Sequence, residues 1–235
     1  MKTLTMKFGG TSVANVDRIK AVRDIISGEV RNGWKVVAVV SAMSNETNKL
    51  IDLAKKVGVE SLVDPEYDSL ISTGEDVSSS LLAIALNSIG ISSRSWRGWQ
   101  LPVMTNNFHS NAKIEEIDTR KIVDAFNEGI KVAVISGFQG IEKSGRITTL
   151  GRGGSDTSAV AIAAAIDAKR CDIYTDVSGI YTTDPRIKKN ASKLKKISFE
   201  EMLEMASLGA NVLQTRAVEL AMRHKVPITV LNSFS

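Results

Sequence analysis

The chain has 235 residues, of which 43% are hydrophobic and 24% are charged, and its formal net charge is +4. This composition excludes a largely disordered chain. The longest apolar run, residues 159–166, is far shorter than the about 20 residues of a membrane span, and the N-terminus lacks the apolar stretch of a signal peptide. A single cysteine, Cys171, excludes an internal disulfide and a zinc cluster of cysteines. We therefore expect a soluble cytoplasmic protein without a metal centre of its own.

The apolar pattern switches along the chain between the spacing of a strand and that of a helix. In chain order, strands are predicted at Leu4–Phe8, Val36–Val40, around Trp96 and Val103, and at Val132–Ser136, Ile147–Leu150, Asp172–Thr175 and Ile228–Leu231. Helices are predicted at Val16–Val30, Glu46–Lys56, Val77–Asn87, Ile122–Phe126, Asp156–Ile166, Phe199–Ser207 and Val212–Arg223. Strands that alternate with helices are typical of an α/β domain with a mostly parallel sheet.

The chain shows no repeat and no low-complexity linker, so one domain over residues 1–235 is expected. Five lysines lie between Lys188 and Lys196. No aromatic residues alternate with them, as they would in a surface that stacks nucleic-acid bases. A solvated loop is the favoured interpretation of this stretch, and nucleic-acid binding is not.

The first of three glycine-rich junctions follows the first strand and reads Lys7-Phe8-Gly9-Gly10-Thr11-Ser12. Two glycines let backbone amides approach an anion closely, and the next helix offers its positive end to the same anion. The Lys7 side chain adds a full positive charge. Ligands bind at the carboxyl ends of strands in open α/β sheets. A tight turn without a ligand explains Gly9-Gly10 equally well.

The second junction, Thr148–Ala159, holds three glycines and an arginine before an apolar helix. Arg152 is suited to bidentate capture of a carboxylate. The segment is not a P-loop, because it lacks Gly-Lys-Ser/Thr. It is not a dinucleotide fingerprint either, because Asp156 stands where the third glycine would be. An anion site is favoured here over a simple helix cap.

The third junction, Tyr174–Arg186, follows a buried strand and is rich in hydroxyl groups, with an aromatic residue and an arginine near its end. Such a loop can hold a nucleotide base and ribose. The alternative is a long polar loop with a turn at Asp184-Pro185.

Together the three segments resemble the catalytic domain of the aspartate kinases, in the amino acid kinase family. The motifs are Lys-Phe-Gly-Gly-Thr-Ser at 7–12, Gly-Arg-Gly-Gly-Ser-Asp-Thr-Ser-Ala at 151–159, and Thr-Asp-Val-x-Gly-Ile-Tyr-Thr-Thr-Asp-Pro-Arg at 175–186. The last motif is shared with uridylate and glutamate 5-kinases, and the first two narrow the resemblance to aspartate kinases. It implies a three-layer α/β/α sandwich, the amino acid kinase fold, around a mostly parallel sheet.

The implied reaction transfers the γ-phosphoryl group of ATP to the side-chain carboxylate of L-aspartate, with Mg²⁺ assisting. The product, 4-phospho-L-aspartate, leads to lysine, threonine and methionine. A carboxylate nucleophile is already ionised at pH 7, so no general base is needed. The difficulty lies in bringing two anions together, which calls for positioning and charge neutralisation.

The resemblance also assigns roles to single residues. Lys7 bridges the transferred phosphoryl group, and Asp156 orients Lys7. Substrate contacts are expected from Ser41, Thr47, Glu75, Arg152, Gly153, Gly154 and Ser155. Nucleotide contacts are expected from Lys7, Phe8, Gly9, Gly10, Thr175, Asp176, Tyr181, Arg186, Asn211 and Val212. Arg152 is expected to hold a carboxylate and Glu75 the α-ammonium, although Glu75 alone is also explained as a residue that stabilises a helix start.

Two departures from the family pattern bear on these expectations. Where the family usually has Gly-Ala-Lys-Val, this chain has Gly-Ala-Asn-Val, and Asn211 supplies no positive charge to a nucleotide. Aspartate kinases usually continue into regulatory ACT domains, and we expect none within these 235 residues. A homodimer is expected from the family. Two alternatives remain: a family member that uses a glutamate-type substrate, and a catalytically weak binding or regulatory subunit.

Overall fold

The computed structural model describes residues 2–59, 63–183, 187–188, 190–208 and 212–234. In chain order its elements are β1 (Thr3–Phe8), α1 (Val16–Arg31), β2 (Lys35–Val40), α2 (Glu46–Val57), α3 (Pro65–Ile71), α4 (Thr73–Asn87), β3 (Ser93–Trp96), β4 (Val103–Thr105), β5 (Ile114–Ile117), α5 (Arg120–Asn127), β6 (Val132–Ser136), β7 (Gln139–Ile141), β8 (Ile147–Thr149), α6 (Gly154–Ala165), β9 (Cys171–Thr175), α7 (Phe199–Ser207), α8 (Thr215–His224) and β10 (Ile228–Asn232). Among these described helices, none has both the length and the apolar character needed to cross a membrane.

The central sheet has six parallel strands in the order β10-β9-β1-β2-β6-β3. Its inner strands are nearly continuous apolar runs, because helices cover both faces of the sheet. The register places Phe8 of β1 opposite Val40 of β2 and Tyr174 of β9, and Val40 opposite Ser136 of β6. The carboxyl ends of four neighbouring strands therefore form one edge of the sheet.

Side chains alternate between the two faces of this sheet and divide the core in two. Leu4, Met6 and Phe8 point to the face covered by α1 and α4. Val37 and Val39 point to the opposite face, where α6, α7 and α8 pack. The arrangement confirms the predicted three-layer α/β/α sandwich.

A second sheet of four strands, in the order β5-β4-β7-β8, lies outside the three layers. The predicted strand at Ile147 forms β8 and pairs antiparallel with β7. The sequence did not predict β5, β7 or α3. Four helix starts also differ from prediction. The helices α4, α5 and α6 begin earlier than predicted, at Thr73 instead of Val77, at Arg120 instead of Ile122 and at Gly154 instead of Asp156, whereas α8 begins later, at Thr215 instead of Val212. The end of β8 leads directly into the glycine-rich loop before α6, so this sheet supports one side of the site.

Candidate active site

The residues predicted to bind substrate gather at the carboxyl edge of the central sheet. Seven of them line one cavity of about 200 Å³ together with Lys7 and Asp156. The full lining is Lys7, Ser41, Thr47, Glu75, Phe138, Gly151, Arg152, Gly153, Gly154, Ser155 and Asp156. Lys7 and Arg152 therefore face a common cavity, as the proposed chemistry requires.

Lys7 and Asp156 form an ion pair on the floor of this cavity. The Lys7 Nζ atom lies 2.7 Å from Asp156 Oδ1, and the two side chains are only 12% and 10% exposed. Lys7 comes from the end of β1 and Asp156 from the first turn of α6. A side-chain carbon at Gly9 would stand 3.3 Å from Lys7 Nζ, so the absence of a side chain there leaves room for the ammonium group.

The start of α6 forms one wall of the cavity. Its first turn contains Gly154, Ser155 and Asp156, which all line the cavity. The N-cap residue is Gly153, so no side chain caps the backbone amides at this helix end. The positive end of the helix dipole is therefore directed at the cavity. Gly153 has φ +71°, and a side-chain carbon there would lie 1.8 Å from Gln214 Cγ, so only glycine fits.

Arg152 stands at the rim of the cavity and is exposed to solvent. Within the described parts of the chain its guanidinium has no hydrogen-bond or ion-pair partner. A guanidinium that is not engaged by the protein is available for a carboxylate or phosphate ligand.

Glu75 is the one buried carboxylate of the cavity that carries no cationic partner among the described residues. The residue is 4% exposed, its Oε1 atom accepts a hydrogen bond from the Ala42 amide at 3.1 Å, and no described group donates a hydrogen bond to Oε2. Burial raises the pKa of Glu75 to about 8. A cationic ligand group would both pair with Oε2 and restore the ionised form.

A second recess of about 390 Å³ adjoins the cavity through Ser41, Thr47 and Glu75. It extends past Gly10 and Thr11 to the loop that starts α2. The cavity and the recess together run along the strand edge from the α6 start to the Gly9-Gly10 loop. This combined space borders both the predicted substrate residues and the predicted phosphate loop.

Of the residues predicted to contact the nucleotide that the structure describes, only Lys7 lines the cavity and only Gly10 lines the recess. The Gly9 amide donates to the Tyr174 carbonyl at 3.4 Å, which places the Gly9-Gly10 loop beside the end of β9 and the start of the loop that follows it. Thr175 is the last residue of β9 and Asp176 is the first residue of the loop, and the Thr175 hydroxyl donates to Asp176 Oδ1 at 3.0 Å.

Other members of the predicted nucleotide group have different surroundings. Phe8 is fully buried and stacks on Tyr174 with ring centroids 4.8 Å apart, so only its backbone can reach a ligand. Tyr181 forms an isolated antiparallel bridge with Lys193. Val212 is partly buried against the core. Arg186 and Asn211 lie outside the described residues.

Three residues of the site region were not predicted from the sequence. Phe138 and Gly151 line the cavity, and Asp68 accepts a hydrogen bond from Thr149, just before the loop that carries Arg152. Asp68 belongs to α3, whose start at Asp64-Pro65 is a recognisable signal: the Asp64 side chain caps the helix and proline occupies its first turn. His109 Nδ1 lies 3.0 Å from Asp68 Oδ2.

Comparison with known proteins relates this geometry to a family. A profile described as the amino acid kinase family matches residues 2–232. An aspartokinase from Rickettsia felis is 52% identical over the whole chain, and this chain spans 59% of that protein. An aspartate kinase from Pseudomonas fluorescens is also 52% identical, with 57% of its length covered. The chain thus spans less than two thirds of the curated relatives it matches.

Solved structures agree with the sequence relatives. Aspartate kinase from Synechocystis is 45% identical with a TM-score of 0.87, and the match covers 99% of this chain and 38% of that one. E. coli aspartokinase III in complex with aspartate and ADP is 29% identical with a TM-score of 0.88, and the match covers all of this chain and 62% of that one. The chain belongs to the amino acid kinase family.

Proposed function

We propose that this chain is the catalytic domain of an aspartate kinase, which transfers the γ-phosphoryl group of ATP to the side-chain carboxylate of L-aspartate. The observation that carries the proposal is the cavity shared by Lys7, Arg152 and Glu75. Two cations and a helix start suit the anionic groups of ATP and of an acidic amino acid, and one buried carboxylate suits an α-ammonium group. The aspartokinase relatives support the same substrates.

In the proposed reaction a side-chain carboxylate oxygen of aspartate attacks the γ-phosphorus, and the bond from that phosphorus to the oxygen bridging the β-phosphate breaks. The products are 4-phospho-L-aspartate and ADP. The attacking carboxylate needs no base, so the protein contributes alignment and charge. Lys7 neutralises the transferred group, and Asp156 holds the Lys7 ammonium in place. The start of α6 adds fixed backbone dipoles that need no reorganisation.

Substrate recognition is assigned by the same reasoning. Arg152 takes a carboxylate of aspartate, and Glu75 takes its α-ammonium. Hydrogen bonds to the substrate come from Ser41, Thr47, Gly153, Gly154 and Ser155. The nucleotide lies along the Gly9-Gly10 loop and the loop after β9, with contacts from Phe8, Thr175, Asp176, Tyr181, Arg186, Asn211 and Val212.

Mg²⁺ is proposed as a companion of the nucleotide. No group of three or more histidine, cysteine, aspartate or glutamate side chains in the described regions is arranged to hold a metal. Mg²⁺ is commonly held by substrate phosphates with one or two protein carboxylates. Asp156, which pairs with Lys7 in the cavity, is the carboxylate proposed to contact the ion. When bound, the ion supplies positive charge to the phosphate oxygens. The homodimer and the cytoplasmic location stay predictions.

The test is a coupled trapping experiment with the purified 235-residue chain. Hydroxylamine converts an acyl phosphate into a hydroxamate, so ATP-dependent hydroxamate formation is expected with aspartate. Equal or faster product formation with glutamate would reassign the chain to a glutamate-type kinase. No hydroxamate from folded protein at millimolar ATP would favour the binding or regulatory role and contradict the proposed activity.

A further inference from the structure

Asp68 is a buried carboxylate that the catalytic cycle proposed above does not use. It is 0% exposed, and five groups donate hydrogen bonds to it. The donors are the Ser110 amide and hydroxyl, the Thr149 amide and hydroxyl, and His109 Nδ1. A carboxylate only accepts, which assigns the proton of this contact to His109 Nδ1. A charge withdrawn from water is tolerated when it is bonded in this way.

These bonds join three segments that are distant in sequence. Asp68 belongs to α3, Thr149 ends β8, and Ser110 lies in the loop between β4 and β5. The Thr149 hydroxyl donates to Asp68 Oδ1 at 2.6 Å and its amide to Oδ2 at 2.9 Å. Ser110 has φ +61°, a conformation rare for a residue with a side chain, and its amide donates to Asp68 Oδ2 at 2.9 Å. Asp68 thus supports a backbone shape that local sequence does not favour.

The supported loop in turn contacts the segment that carries Arg152. A side-chain carbon at Gly151 would lie 2.8 Å from the Ser110 carbonyl oxygen, so the two backbones are in close contact. Thr149, which Asp68 holds, is only three residues before Arg152. Because no described group binds the Arg152 guanidinium, the backbone alone determines where that side chain starts.

We infer that Asp68 is a positioning residue, which fixes the backbone of residues 149–152 so that Arg152 meets the substrate carboxylate. The inference rests on the proposed function for the identity of that substrate. Misplacement of a binding group by about 1 Å is enough to lower turnover about 100-fold. Loss of the hydrogen bonds from residues 110 and 149 to Asp68 should therefore have a measurable effect on the reaction. The KM for aspartate should change more than the KM for ATP, because none of the five groups that donate to Asp68 belongs to the Gly9-Gly10 loop.

The experiment compares Asp68→Ala with Asp172→Ala in steady-state assays of the full chain. Asp172 is a matched control: it is 1% exposed and paired with Arg170 at 2.9 Å, near the opposite end of the sheet strands. Asp68→Ala is expected to raise the KM for aspartate about 10-fold or more with little change in the KM for ATP. Asp172→Ala should change neither. Equal changes in both KM values, or the same pattern in Asp172→Ala, would overturn the inference.

Two further variants separate positioning from loss of folding. Asp68→Asn keeps one oxygen for the Ser110 and Thr149 amides, so it should recover most of the affinity lost in Asp68→Ala. Thr149→Val removes a single hydrogen bond to Asp68 at nearly constant volume, and serves if Asp68→Ala does not fold. It should raise the KM for aspartate in the same direction by a smaller factor. An unchanged KM in Thr149→Val and no recovery in Asp68→Asn would contradict the inference.

A readout that needs no activity distinguishes this inference from the proposed function. Hydrogen–deuterium exchange of the peptide covering residues 149–154 should become faster in Asp68→Ala and stay unchanged in Asp172→Ala. If the wild-type chain turns over aspartate but this exchange does not change, the positioning role is wrong and the function stands. If the wild-type chain has no activity and the exchange does accelerate, the function is wrong and Asp68 still fixes the loop.

Discussion

The buried ion pair between Lys7 and Asp156 is expected to contribute little to the free energy of folding. Both side chains are about nine-tenths buried, and removing two charges from water costs nearly as much as their attraction returns. Apolar residues of similar size would fill this position between β1 and α6 at lower cost. The pair instead fixes an ammonium group in the cavity. In the proposed reaction this ammonium group stabilises the negative charge that develops on the transferred phosphoryl group.

Lys7→Ala is therefore expected to reduce turnover much more than it reduces affinity for aspartate. Loss of one preorganised group that stabilises a transition state typically lowers kcat about 100-fold to 1000-fold. Steady-state hydroxamate assays measure kcat and both KM values. Lys49→Ala is the control, because Lys49 pairs with Glu46 on the surface of α2 and lines neither the cavity nor the recess. An unchanged kcat in Lys7→Ala would reject the charge-neutralising role.

The proposed contact between Glu75 and the α-ammonium group of aspartate predicts that the binding of aspartate depends on pH. Its pKa of about 8 in the free protein means that it is mostly protonated at pH 6, whereas the α-ammonium group prefers the ionised carboxylate. Binding below pH 8 must therefore release a proton. Affinity for aspartate is expected to rise as the pH increases from 6 to 8, at most about 10-fold per pH unit, and then to level off.

Calorimetric titrations with aspartate at a series of pH values measure this dependence. Glu75→Gln keeps the size of the side chain but cannot ionise, so its affinity should be low and constant over the same range. A wild-type affinity that does not change between pH 6 and pH 8, or a Glu75→Gln variant with the same slope as wild type, would show that Glu75 does not receive the ammonium group.

The longer helices and strands were predictable because each buries a regular apolar stripe. Continuous apolar runs such as Val36–Val40 and Val132–Ser136 identify strands that are covered on both faces. The elements that were missed are short: α3 has seven residues, β7 has three, and β5 has two exposed glutamates in its middle. Too few side chains repeat in such segments for a period to be recognised.

Close packing between elements gives a prediction that concerns Gly137, at the end of β6. A side-chain carbon there would lie 2.9 Å from Ser155 Cβ and 3.0 Å from the Val40 carbonyl oxygen. Gly137→Ala should push the start of α6 away from the sheet, lowering the free energy of unfolding by about 1–3 kcal/mol. Turnover should fall as well, because the start of α6 carries Asp156. Urea unfolding and the hydroxamate assay measure the two effects.

Gly28 provides the matched control for this substitution. It lies inside α1, and no atom comes within 4 Å of a side-chain carbon placed on it. Gly28→Ala is expected to raise the free energy of unfolding by about 0.5–1 kcal/mol, because alanine loses less backbone entropy in a helix. If the two substitutions had the same effect, close contact at Gly137 would not be the cause.

At the scale of the whole molecule, the predictable site residues are those that the topology of the central sheet brings together. Lys7, Ser41 and Asp156 follow or face the ends of parallel strands, and such ends always meet at one edge. Asp68 was not predictable in this way, because its partners Ser110 and Thr149 are 42 and 81 residues away. Its proposed role depends on a second sheet, of which the sequence predicted β4 and β8 but not β5, β7 or their pairing.

The same strand edge links the end of β10 to the Gly-Gly loop. The Ser12 and Ser233 hydroxyls are 2.8 Å apart and buried, and the Ser233 amide donates to the Thr175 carbonyl at 2.9 Å. Arg18 donates to the Ser233 carbonyl at 2.5 Å and lies over the Phe234 ring. The segment after β10 therefore holds the loop proposed to bind phosphate.

Ser12→Ala should weaken ATP binding more than aspartate binding, because it releases the Gly-Gly loop from this segment while leaving the Arg152 side of the cavity intact. One buried hydrogen bond contributes about 0.5–1.5 kcal/mol, so the KM for ATP is expected to rise about 2-fold to 12-fold.

Ser27→Ala is the control: Ser27 is also buried and hydrogen-bonded, to Arg31 at 2.8 Å, but lies inside α1 away from the strand edge. An equal rise in both KM values, or the same rise in Ser27→Ala, would show that the contact only adds stability. A rise confined to ATP would mean that movements of the segment after β10 reach the phosphate loop through Ser233.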